Sequence, residues 1–97
     1  MAAITPTSAR RSTPDQGVVE LWLETAATAD TDDTLAVTLA DHGISTLLAV
    51  EGFVHTTEGS VIVGEAPTTA VSSGVLTITV GGSTVNDKKR VYKVVGR

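Results

Sequence analysis

From Gly17 onward the chain alternates apolar and polar side chains with period two. Val19, Leu21 and Leu23 share one face, while Glu20, Trp22 and Glu24 share the other, the pattern of a half-buried strand. Trp22 therefore points away from the leucine face. Residues 28–34 are polar and read as a loop; Leu35, Val37 and Leu39 then alternate with Ala36, Thr38 and Ala40 in a second strand. Asp41-His42-Gly43 predicts a turn or a single helical turn, because Asp caps backbone N–H groups and Gly tolerates positive φ. Residues 47–55 are the most apolar stretch and predict a central third strand, with a bulge at Glu51-Gly52 where glycine interrupts the alternation. Glu58-Gly59 reads as a hairpin turn into Val61-Ile62-Val63, which Pro67 ends because it cannot donate to a ladder. After the turn Ser72-Ser73-Gly74, the residues Leu76, Ile78 and Val80 alternate with Val75, Thr77 and Thr79 up to Gly81-Gly82. Residues 90–95 close the chain as a sixth strand.

Before Gly17 this pattern is missing. Residues 1–17 hold two of the three prolines, much Ser and Thr, and Ile4 as the large apolar group. They read as an extended N-terminal arm that a neighbouring chain would hold in order, leaving residues 18–97 as a single β domain. Six short strands with turn residues between them, no long helical periodicity and no internal repeat predict an all-β fold, a small antiparallel β-sandwich or barrel of about six strands.

Composition sharpens this picture. A chain of 97 residues makes one domain and buries only about 60 to 65% of its unfolded surface, so its own core is thin. Without cysteine, neither disulfides nor cysteine-ligated zinc can add stability. Tight β packing, self-association or docking on a larger partner remain. Thr and Val, 16 and 14 of them, make up nearly a third of the chain and suit a pleated, half-buried surface. A pI near 4.9 argues against neutralising phosphates, so nucleic acid is not an expected partner. No apolar run reaches a membrane span, and the first residues lack the basic start and apolar stretch of a signal peptide, so the chain reads as soluble and made in a reducing compartment.

Candidate chemistry is sparse. Asp30, Asp32 and Asp33 begin a calcium-loop pattern, but no Gly follows within the loop, and solvated turns favour Asp for its hydrogen bonds to backbone. His42 and His55 stand outside any nucleophile elbow, and Gly-x-Ser-x-Gly is absent. Gly81-Gly82-Ser83 lacks the following helix that a phosphate cradle needs. These readings predict no catalytic residue, no metal site, no cofactor and no enzymatic activity. The strongest charge feature is Lys88-Lys89-Arg90, which fits either electrostatic contact with an acidic partner or gatekeeping of a strand edge. Ile4, Arg10 and Arg11 in the arm complete the expected partner-binding set. A reading of another class takes Trp22 as a platform, and the acidic loop as ligands, of a carbohydrate- or cation-binding module.

Three stretches carry a family resemblance. Residues 52–63 with Pro67-Thr68-Thr69, then Gly74-Val75-Leu76-Thr77-Ile78-Thr79-Val80-Gly81-Gly82, then Asp87-Lys88-Lys89-Arg90-Val91-Tyr92 resemble small virion structural proteins of tailed bacteriophages. Over roughly residues 45–95 the likeness lies in a Thr/Val/Gly-rich style and short phrases. It implies a capsid decoration or cement protein: a compact β-sandwich or barrel with an extended arm, often grouped as trimers. Such a protein binds the major capsid protein on the outer surface of the head after synthesis in the host cytoplasm. A head-to-tail connector or tail structural protein is the alternative that the same resemblance carries.

Overall fold

The computed structural model describes residues 3–15, 17–81 and 87–97, so Gly82 and Ser83 of the expected glycine turn lie outside the described residues. Two antiparallel sheets form the molecule. The larger has the order β1 (Ser8–Asp15), β2 (Val18–Glu24), β8 (Arg90–Gly96), β4 (Leu47–Thr57), β5 (Val61–Gly64). The smaller has the order β3 (Thr34–Thr38), β7 (Val75–Thr79), β6 (Thr68–Ser72). The fold is all-β, and the one helical element described is a single 3₁₀ turn, Leu39–His42, closed by Gly43 at φ 73°.

Alternation builds the core. Val19, Leu21 and Leu23 of β2 and Tyr92 and Val94 of β8 face Leu35, Val37, Leu76 and Ile78 of the smaller sheet and Val80 just after β7, and all are buried. Burying one such leucine or isoleucine contributes about 1.5–3 kcal/mol, so the predicted apolar faces decide which way each sheet turns. Ser73 and Gly74, both at positive φ, make the two-residue turn of the β6–β7 hairpin, whose primed geometry matches strand twist.

The structure changes three expectations. Among the described residues there are eight strands rather than about six, the additional ones being β1 and β6. Residues 3–15, expected within an extended arm, run along the domain: β1 pairs antiparallel with β2, Ala3 bridges Thr34, and Ile4 packs against the core. Backbone bonds hold this segment, so it needs few apolar side chains. The radius of gyration of 12.8 Å lies near the roughly 12.5 Å expected for a globular chain of this length. Finally, no bulge occurs at Glu51-Gly52, where the ladder to β8 is regular; the irregularities of β4 fall between Leu47 and Ala49 and between His55 and Thr57. Gly52 is required for space instead, since a Cβ there would collide with the Glu65 carbonyl and sit 2.9 Å from Tyr92 Cε1.

Candidate functional site

The larger sheet turns one face to the core and leaves the other open. Cross-strand register puts Arg10, Trp22, Lys93 and Glu51 in one row of the open face, and Ser8, Glu24, Val91, Phe53 and Gly64 in the next. Ile62 of β5 stands opposite His55 in the row beyond. Trp22, Phe53, His55, Ile62 and Val91 line a groove of about 250 Å³ on this face. An outward sheet face ordinarily carries polar residues, so four apolar side chains drawn from four strands form an anomaly that the core does not explain.

Charges frame the groove. Lys93 Nζ stands 5.7 Å from the Trp22 ring centre, within cation–π reach, and 3.7 Å from Glu20 Oε1. Lys89 Nζ pairs with Glu24 Oε1 at 2.8 Å. Hydrogen bonding and charge from Lys89 hold the Glu24 carboxyl below its ordinary value, and Arg10 and His55 act in the same direction. The Lys89 ammonium is pushed up in return, chiefly by its hydrogen bond to Glu24. His55 Nδ1 accepts the Gly59 N–H at 3.1 Å, which ties the ring to the β4–β5 turn.

The expected partner-binding residues do not form one surface. Arg10 is exposed beside Trp22 on the open face, whereas the neighbouring Arg11 points to the other face, with its guanidinium over Gly43. Ile4 is half-buried against the core, and its N–H donates to the Thr34 carbonyl at 2.8 Å, so it serves the fold. Lys88 is half-buried, and its N–H donates to the Ala29 carbonyl at 3.2 Å.

Arg90 requires correction as a partner contact, because its relative exposure is 0%. Strand alternation puts it on the inward side with Tyr92 and Val94. Its Nε donates to Glu65 Oε1 at 3.0 Å, Nη2 to Glu65 Oε2 at 3.4 Å, and Nη1 to the Ala29 carbonyl, while its backbone N–H donates to Thr25 Oγ1 at 2.9 Å. This pair ties β8 to the segment after β5 and to the β2–β3 loop. Tyr92 lies next to it, and its Oη is the one buried side-chain polar atom without a hydrogen bond among the described residues. Burial pushes the phenol pKa well up, and the Glu65 charge adds to the rise.

The acidic loop also works internally. Asp33 Oδ2 accepts the Asp30 N–H at 2.8 Å, and Asp30 Oδ1 accepts the Asp87 N–H at 2.8 Å. Among the described residues no group of three or more carboxylates or histidines is placed to hold a metal ion, and no helix is long and apolar enough to cross a membrane. Set against protein-family models, characterised proteins and solved structures, the chain matches none of them.

Sequence reading found Trp22 as an outward residue but not the other groove residues. Their signal was weak: residues 47–55 are too continuously apolar for a strand with a wet face, yet only cross-strand register shows that Phe53, Val91 and Ile62 meet beside Trp22.

Proposed function

We propose that this chain is a non-enzymatic virion structural protein, a decoration protein that binds the major capsid protein lattice and stabilises the head. The observation that carries the reading is the open groove of Trp22, Phe53, Ile62 and Val91, with charged residues around it. Protein–protein contacts are commonly built this way, with aromatic and aliphatic anchors at the centre and charged residues at the rim that set register. The sequence style shared with small phage virion proteins supplies the kind of partner. Docking would add stability to a thin core by mass action.

The carbohydrate-binding alternative draws on the same exposed Trp22. It has less support, because of the groove residues only Trp22 and His55 carry side-chain hydrogen-bonding groups, one indole N–H and one imidazole, for a ligand rich in hydroxyls. Flat heats on titration with calcium and a glycan panel are expected. Trp22→Glu places a charge in the groove without touching the core, and it should abolish occupancy on heads lacking their own copy while the circular dichroism spectrum stays unchanged. Full occupancy by the variant would refute the reading, and density confined to the neck or tail in a particle map would favour the connector or tail alternative.

A further inference from the structure

The outer edge of β5 leaves apolar side chains exposed. Val61, Ile62 and Val63 are 48%, 54% and 48% exposed, and among the described residues no strand flanks β5 beyond β4. Val63 stands opposite the buried Val54 and so faces inward, and Val71 of β6 stands opposite the buried Leu76, yet each remains half exposed. The sandwich is therefore uncovered along this side, where residues 65–67 carry the chain from β5 to β6.

Among the described residues the outward side of the β5 backbone has no strand partner. Glu65 N–H donates to the Gly52 carbonyl, so by the alternation of an antiparallel ladder Val63 turns its N–H and C=O to β4, and Ile62 and Gly64 turn theirs outward. We propose that two copies of the chain pair antiparallel through β5 about a two-fold axis at Ile62, joining their larger sheets into one.

This register is self-complementary. Ile62 falls opposite its counterpart, with its N–H and C=O facing those of the second copy. Val61 falls opposite Val63, so two valines from each copy meet on the inner face. Gly64 falls opposite Ser60, and Glu58 opposite Ala66, so no like charges meet; Glu65 is already paired with Arg90. Isologous contact of this kind closes after two copies instead of growing into a fibre. On the open face the two Ile62 side chains would connect the two grooves into one apolar strip. The pairing stands whether or not the groove binds a capsid.

Two measurements test it. In sedimentation equilibrium the unmodified chain should move with concentration from its 10.0 kDa mass to twice that value, and Ile62→Lys should weaken the association roughly tenfold or more by forcing two charges together. Paired Cα atoms in such a register lie about 5.5 Å apart, within disulfide range. In this cysteine-free chain, Ile62→Cys should therefore oxidise to a covalent dimer much faster than Val71→Cys, an equally exposed control on β6. A chain of single mass at every concentration, undiminished association of Ile62→Lys, or equal crosslinking of the two cysteine variants would each overturn the pairing. Failure of the unmodified chain to bind particles, with pairing intact, would instead count against the capsid reading alone.

Discussion

β1 and β5 both end the larger sheet, yet they meet solvent differently. β1 carries Arg10 and Arg11, both exposed, and Pro14, which has no N–H to offer. The adjoining N-terminal residues fold back so that Ala3 bridges Thr34 and Ile4 covers core. Charges and prolines of this kind blunt a strand edge against pairing. β5 is shorter, has no charged residue, and leaves apolar side chains open on both faces. One side of the sandwich is closed by its own chain; the other stays open among the described residues and is the edge through which we propose that two copies pair. A small β protein can thus use self-pairing where it needs it and suppress it elsewhere.

The largest expected effect is on the anchor of the β5 side. Glu65→Leu leaves the Arg90 guanidinium buried without its carboxylate and should cost about 3–5 kcal/mol in urea unfolding, a large part of a small domain's total stability. Glu65→Leu combined with Arg90→Met should recover most of that loss, because a well-packed apolar pair replaces a desolvated ionic one. Equal losses in the single and double variants would show that the pair is not the element holding β5 in place. A smaller effect is expected at the other edge. Replacing Arg10 and Arg11 with valine should change unfolding stability by no more than about 0.5 kcal/mol but cause concentration-dependent association through β1. No new association would mean that the arginines do not account for the difference between the edges.

The smallest effect concerns pH at the end of β1 nearest Glu24. Glu24 is lowered by Lys89, so its contribution is complete above the ordinary carboxylate value and is lost as pH falls through the lowered folded value. Lys89 is raised, so its contribution is complete below the ordinary lysine value and is lost as pH rises through the raised folded value. Lys89→Met should therefore slightly flatten both limbs of the stability–pH curve, the effect being small because the pair is partly exposed to water. An unchanged acid limb would remove the pair from the account of this edge.

What the sequence revealed followed from how each element is held. Val19, Leu21 and Leu23, and Leu76, Ile78 and Val80, showed their buried faces because side-chain direction in a strand repeats every two residues. β1 was not visible as a strand because backbone pairing with β2 defines it, and its Ser, Thr, Arg and Pro residues carry no apolar face. Arg90 lies in phase with Tyr92 and Val94, so its direction was legible, but its burial depends on Glu65, 25 residues earlier in the chain and outside any local pattern. The groove was legible only at Trp22, since it is assembled by the register of four strands.

Amide hydrogen exchange resolved by residue tests the contrast between the edges most directly. The account predicts that the outward amides of Ile62 and Gly64 exchange rapidly in dilute solution and become protected as concentration rises, while the amides of β1 stay at constant protection. Concentration-independent exchange at Ile62 and Gly64, or protection that rises equally in β1, would contradict it.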